Sequence, residues 1–271
     1  MSASHFILLD ASYFVFYRYT AIRRWWSFAR REDEPKAGME SARYVDKFRS
    51  TFNNALAGLP KLAGCSKDSA VPVVLAALDC PRSQIWRLGV SENYKATRAH
   101  CEEAGAHFEL VRKEGLLDHP TVSAQLAHAG LEGDDCIALT VEEIRKKRPD
   151  AIVTIVSSDG DFKQLLAPNV RLVDLKGNMT GGEGDAISPE LELFCRIVAG
   201  DCSDNIQSVF PRCGRKTAQK LFHDQAKFTE RLISSPCAAG TYERNRLLID
   251  FKRIPAFLAA GFRRERLHIL E

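Results

Sequence analysis

The stretch AIVTIVSSDGDFKQLL, residues 151–166, decides how the chain is read. An unbroken apolar run from Ala151 to Val156 is followed by two serines and then by Asp159 and Asp161, one glycine apart. A run without polar alternation predicts a strand buried on both faces, as in a parallel sheet covered by helices. Asp and Gly are ordinary turn formers, so a solvated turn would explain how the run ends. Two neighbouring carboxylates would equally suit a metal ion. This stretch alone permits both readings.

Two more runs, FILL (6–9) and VPVVLAAL (71–78), read the same way, and VRLVDL (170–175) predicts a fourth strand. Helical segments separate the first three, at 12–28, 39–57 and 134–147; in the last, Ile137, Val141 and Ile144 share one face. Lys176 to Pro189, rich in glycine, is expected to be a mobile loop. Beyond it the pattern is helical at 190–199, 215–223, 226–234 and 241–251, with a short final piece. Strands alternating with helices predict an α/β fold with a mostly parallel sheet. FILL then ends at Asp10, VVLAAL at Asp79 and AIVTIV at Asp159 and Asp161. Ligands of open parallel sheets bind at the carboxyl ends of the strands, which lines these four acids along one edge.

Two other clusters fit that edge. LEGDD sets Glu132, Asp134 and Asp135 at a helix start, and GDCSDN sets Asp201 and Asp204 one helical turn apart. Capping and the helix dipole account for acids at such places singly. All nine together are harder to explain. Two unit charges about 4 Å apart repel by roughly 4 kcal/mol at an effective dielectric near 20, and a fold is stable by only about 5–15 kcal/mol in total. Either the acids are dispersed on the surface or cations neutralise them. Oxygen donors without histidine or cysteine select Mg²⁺ or Mn²⁺ over Zn²⁺. Two such ions serve in-line cleavage of a phosphodiester.

Bulk properties narrow the class. With 45% hydrophobic and 27% charged residues, the 271-residue chain has the make-up of a soluble globular protein. Its eight cysteines form no C-x-x-C pair or zinc-site spacing, and its seven histidines show no metalloprotease or triad pattern. No secretory signal is evident and Asp10 breaks the first apolar run, so an intracellular, soluble, non-membrane protein is expected. Residues 205–271 hold 13 Lys/Arg and 6 Asp/Glu, whereas residues 1–204 carry a net negative charge. A basic section beside an acidic body suits a protein that grips phosphates with one part.

At this point the motifs ILLDASYFVFYR, LDCPRSQIWR, ENYKATR, LEGDD, SSDGDFKQLL, GDCSDNI and GRKTAQKL, in this order, resemble those of the 5′ nucleases. That family comprises flap endonucleases, phage 5′→3′ exonucleases and the nuclease domain of bacterial DNA polymerases. The resemblance implies a PIN-like domain, residues 1–195, with a helical arch over about 91–118. A helix-three-turn-helix module with further C-terminal helices would occupy 196–271. It also implies two Mg²⁺ ions, replaceable by Mn²⁺. Asp79, Glu132 and Asp134, with Asp10, would serve the first; Asp159, Asp161 and Asp204, with Asp201 and Asp135, the second. Lys95 and Arg98, three apart on a presumed helix, would reach the scissile phosphate. Arg212, Gly214, Arg215, Lys216, Thr217 and Lys220 would grip the duplex backbone. Arg18, with other arginines and aromatics of the first helix, would contact a DNA junction. A K⁺ ion belongs to the family's turn, but its Gly-x-Gly reads Arg212-Cys213-Gly214 here.

The resemblance therefore implies a Mg²⁺-dependent 5′ nuclease, with a role in DNA replication and repair. It would act, as a monomer, on branched or free-ended DNA and leave a 5′-phosphate. A nuclease that removes RNA primers from RNA–DNA hybrids shares the same metal and phosphate chemistry and stays open, as does a PIN-like DNA-binding module without catalysis. A phosphatase of the D-x-D type would need a threonine shortly after Asp161, where Lys163 and Gln164 stand. The C-terminal end lacks a sliding-clamp box.

Overall fold

The structure, a computed structural model, describes residues 4–36, 38–66, 70–97, 101–182, 184 and 187–270. Strands β1 (His5–Asp10), β2 (Val73–Ala77), β3 (Ala124–Leu126), β4 (Ile152–Val156), β5 (Val170–Val173) and β6 (Met179–Gly181) form one sheet in the order β3-β2-β1-β4-β5-β6. All pairings are parallel except β5 with β6. The helices are α1 (Ala11–Ala29), α2 (Ala42–Ala57), α3 (Leu59–Leu62), α4 (Glu102–Glu114), α5 (Gly133–Lys147) and α6 (Pro189–Ala199). After them come α7 (Arg215–His223), α8 (Gln225–Ser234), α9 (Ala238–Ile249) and α10 (Ala256–Arg266).

Strand β1 shows why its sequence had to be continuously apolar. Phe6 and Leu8 point to one face, where they meet Leu75, Val153 and Ile155 beneath α5 and the C-terminal Phe251, Leu258 and Phe262. Ile7 and Leu9 point to the other, against Phe14 and Trp26 of α1 and Phe48 and Phe52 of α2. Both faces are dry, so neither can carry a polar residue. Residues of α6 to α9, with the turn after α6, pack a third, separate cluster around Phe210, Leu221 and Phe228. The C-terminal helix α10 belongs to the sheet's core rather than to that cluster.

Two expectations needed correction. Part of the segment expected to be a mobile loop, Met179–Gly181, is an antiparallel edge strand paired with Arg171 to Val173. Residues 92–97 form turns rather than a helix, and Lys95 has a left-handed backbone (φ 56°). Among the described residues of the expected arch, α4 is the helix, and it packs on α1. Arg98 lies outside the described residues.

His107 fastens α4. Its ring is buried between Tyr19, Tyr44 and Phe48. Nδ1 lies 2.6 Å from the Glu103 carbonyl and Nε2 2.9 Å from the Tyr44 hydroxyl. A carbonyl can only accept, so Nδ1 holds the proton and Nε2 accepts from Tyr44. Burial lowers the pKa of His107, and burial with the Arg171 charge lowers that of His5 to about 4. A histidine whose folded pKa is depressed contributes stability above its unfolded value of about 6.5 and loses it as pH falls through the folded one. The urea midpoint is therefore expected to drop as pH is lowered from 6.5 towards 4. In His107→Gln part of that drop disappears; an identical pH profile in the variant would refute this.

Candidate active site

Strand β1 lies between β2 and β4, and the chain leaves it in opposite directions, so a crevice opens at the carboxyl ends of these strands. Each strand there runs into an acid. Asp10 caps α1, accepting from Tyr13 N at 2.9 Å, and Asp159 caps the 3-10 turn Gly160–Leu165, accepting from Asp161 N at 2.8 Å. Asp79 accepts from Gly133 N at the start of α5, at 2.7 Å, and from the Ser12 hydroxyl at 2.6 Å. Capping and clustering are thus two aspects of one arrangement. The free N–H groups of several helix starts converge where the strands stop, and acids answer them.

Asp10, Asp79, Asp134 and Asp159 line a single cavity of about 1130 Å³, together with Lys95, Arg82, Ser12, Ser157, Phe16 and Phe108. Burial pushes Asp10 up to about 6, assisted by the charges of Asp79 and Asp159. Burial likewise raises Asp134 well above the usual carboxylate range, with Asp10 and Asp159 adding to the effect. These acids disfavour one another's ionisation.

The other five are held by cations. Glu132 accepts from Lys95 Nζ at 2.6 Å, from Arg87 at 2.9 Å and from the Tyr94 hydroxyl at 3.1 Å. Lys95 Nζ also lies 3.9 Å from Asp204. Asp135 is completely buried behind the cavity. It takes a bidentate pair from Arg87 (2.7 and 2.8 Å), the Trp86 indole N–H and the backbone N–H of Glu132. Asp161 and Asp201 share Arg196, whose Nε pairs with Asp161 and whose terminal nitrogen lies 2.6 Å from Asp201 and 4.0 Å from Asp159. Burial nevertheless raises Asp161 to about 7, against the pull of Arg196. Asp159, close to both Asp134 and Arg196, joins the two sets.

Among the described residues, no three acid, histidine or cysteine side chains close around a common point. The physical reason is visible in Arg87, Lys95 and Arg196, which occupy the spaces between carboxylates. The donor set is nonetheless all oxygen, which suits hard divalent ions. Arg196 was not anticipated as part of the site; its signal was a basic residue in the last helical turn before GDCSDN. Arg87, inside the motif LDCPRSQIWR, was quoted without a role.

The remaining sequence candidates stand apart from the cavity. Arg212, Gly214, Arg215, Lys216 and Lys220 are exposed around the start of α7, with Thr217 partly buried. Gly214 caps α7 without a side-chain bond, which leaves N–H groups directed outward. Arg215 pairs with Glu192. Arg212 keeps a left-handed backbone, φ 54°, where the family has glycine. Arg18 is partly buried. Trp26 is core, whereas Phe16 is half exposed on the cavity wall.

Comparison with known proteins gives the chain a family. Residues 5–188 match the family described as 5′-3′ exonuclease, N-terminal resolvase-like domain. The chain belongs to that family. It is 29% identical over 228 residues to DNA polymerase I of Rhizobium leguminosarum, an alignment that covers 81% of this chain and spans only 20% of the polymerase. It is 25% identical over 222 residues to a ribonuclease H of bacteriophage T4, covering 69% of this chain and 67% of that protein. Its fold is that of the bacteriophage T5 D15 protein crystallised with metal ions (TM-score 0.68, 18% identity, 98% of this chain and 100% of that one). The T5 D15 flap endonuclease in a pseudo-enzyme–product complex with DNA and metal ions matches equally (TM-score 0.67, 18% identity, 98% of each chain). No helix among the described residues is long and apolar enough to cross a membrane.

Arg87 is 3% exposed and balances two buried acids. Removing one partner of such an ion pair leaves an uncompensated charge, at a cost of about 3–5 kcal/mol. Arg87→Met is expected to lose that much stability in urea unfolding, and a loss below ~1 kcal/mol would contradict the arrangement.

Proposed function

We infer that the protein is a divalent-metal-dependent 5′ nuclease that hydrolyses DNA phosphodiesters at branched or free 5′ ends and leaves a 5′-phosphate. One observation carries this reading: four carboxylates from three neighbouring strand ends and one helix start line a single cavity that also contains Lys95. Residues 1–195 form the nuclease part in this reading, and 196–271 the helical part that grips the duplex.

Asp10, Asp79, Glu132 and Asp134 would hold one Mg²⁺, and Asp159, Asp161, Asp201 and Asp204 a second. Asp135, behind the cavity, orients Glu132. The ions, which Mn²⁺ could replace, would supply Lewis-acid activation of water and charge neutralisation at the phosphate. The chain's own residues do the rest. In this reading the phosphate enters the cavity that Phe16, Phe108 and Lys95 line, and Lys95 Nζ supplies a positive charge beside it. Its hydrogen bond to Glu132 keeps it there. Arg98 would complement Lys95. Exposed Arg212, Arg215, Lys216 and Lys220, with the N–H groups at the start of α7, hold the duplex by its phosphates without reading bases. The same turn would be the place for a K⁺ ion, with Arg212 in a left-handed backbone where the resemblance expects glycine.

Asp159→Asn and Asp204→Asn are each expected to abolish cleavage of a labelled 5′-flap in Mg²⁺ while leaving gel-shift binding of the same DNA measurable. Undiminished turnover in either would sink the proposal. Lys216→Ala should weaken DNA binding uniformly across sequences and flatten the slope of log K against log salt by about 1. The likeness to the T4 ribonuclease H supports a second reading, in which the substrate is an RNA–DNA hybrid. A flap, a blunt duplex and a hybrid incubated side by side with Mg²⁺ and with EDTA decide between them: faster cutting of the hybrid would establish the second.

A further inference from the structure

Helix α9 lies outside the matched family region, 5–188, and contributes no acid to the site, yet every acid-bearing segment not on β1 or β2 is tied to it. Asn245, completely buried, donates to the carbonyls of Ile197, at 2.9 Å, and Gln207, at 2.8 Å. Those two carbonyls flank the turn that carries Asp201 and Asp204, which is itself closed by paired bonds between Asp201 and Ile206. One turn further along, Arg87 Nε donates to the Leu248 carbonyl at 2.8 Å while its other nitrogens hold Glu132 and Asp135. Next to it, Gln164 donates to the carbonyls of Ile249, at 3.1 Å, and Asp161, at 3.0 Å, and accepts from Phe251 N at 3.1 Å.

Leu248 and Ile249 belong to the last turn of α9, whose carbonyls have no partner within the helix. Water could have satisfied them. Instead they are taken by a side chain from the start of the 132–135 cluster's support and one from the 159–161 turn. Residues 245–249 span about 6 Å at 1.5 Å per residue. Three segments far apart in sequence are therefore pinned within one helical turn or so. Apolar contacts seal the joint: Leu248 and Ile249 pack with Tyr94, Ile197 and Ile206, and Phe251 stacks on Phe162 at 6.1 Å.

We propose that α9 is the registration element of the acid site, and that Arg87, Gln164 and Asn245 are positioning residues that fix the spacing between its two carboxylate sets. The proposal rests on the nuclease reading for what the acids do, and extends it to residues that touch neither substrate nor ion. It makes divalent-ion affinity depend on the end of a helix that supplies no ligand. Since α9 also packs on α6 and α8, it joins the acid-bearing segments to the helices around the proposed duplex grip.

The test uses the full chain. Mn²⁺ is titrated calorimetrically without DNA, and kcat and KM are measured on a labelled flap. Gln164→Met keeps the shape of the side chain and removes its bonds. It is expected to weaken Mn²⁺ binding about ten-fold, the effect usual for groups that orient metal ligands, and to lower kcat while KM for DNA stays within about two-fold. Glu243→Ala removes only an exposed pair on the same helix and should leave Mn²⁺ affinity unchanged. As a measurement on the wild type, amide exchange of residues 245–251 should slow when Mn²⁺ is added, because coupling of this kind is reciprocal. Unchanged Mn²⁺ affinity in Gln164→Met, or unchanged exchange at 245–251 during Mn²⁺ uptake, overturns the proposal. A wild type that binds Mn²⁺ with the predicted coupling but never cuts nucleic acid sinks the nuclease reading and leaves α9's role standing.

Discussion

Mutual repulsion among carboxylates governs this molecule. Nine acids gather at one end of a buried sheet, and the chain tolerates them because all but Asp134 are answered by a donor or a cation. Backbone N–H groups at helix starts answer Asp10, Asp79 and Asp159. Arg87, Lys95 and Arg196 answer Glu132, Asp135, Asp161, Asp201 and Asp204. The balance is incomplete by construction, since Asp10, Asp134 and Asp161 are all pushed towards their protonated forms. A fully neutralised set would have nothing to offer a cation, and an unanswered one would not fold. The intermediate condition is what a site that binds hard ions reversibly requires.

The three cations differ in what they can yield. Arg87 is buried and shared among two acids and a backbone carbonyl, so it acts as a fixture. Lys95 is an ammonium on the cavity wall, 2.6 Å from Glu132 and 3.9 Å from Asp204. Arg196 is partly exposed and bridges three acids. On the proposed reading, an ion held by Asp159 and Asp161 would have to displace Arg196, whereas Arg87 would stay in place. Placement in the fold thus separates permanent from exchangeable countercharge.

Much of this was legible in the sequence because burial on both faces leaves a continuous apolar signature. The runs at 6–9, 71–78, 151–156 and 170–175 all became strands, and an acid at the end of three of them marked the edge. The helix expected at 215–223 matches α7. Strands β3 and β6 were missed because three residues are too few to show a period, and β6 ends in glycine. The helix presumed around Lys95 failed for a local reason: the backbone there turns left-handed so that Lys95 N can bond the Asp204 carbonyl. That tertiary bond has no signature in the surrounding seven residues. The same limit hid Arg87, Gln164, Asn245 and Arg196, whose partners lie up to 161 residues away. Acids announce themselves by position at strand ends, whereas the groups that space them look like ordinary polar residues until the chain is folded.

The division of labour between the matched family region and the rest follows from the same electrostatics. Residues 5–188 contain seven of the nine acids, including the four that line the cavity, but only two of the three balancing cations. Arg196, Asp201 and Asp204 come from the end of α6 and the turn behind it, and the carbonyls that anchor Arg87 and Gln164 come from α9. Phe251, Leu258 and Phe262 then cover the face of the sheet beneath α5. The sheet alone would therefore present an incomplete charge arrangement on an uncovered core. The C-terminal helices are thus structurally joined to the acid cluster, because part of its countercharge and the cover of its sheet come from them.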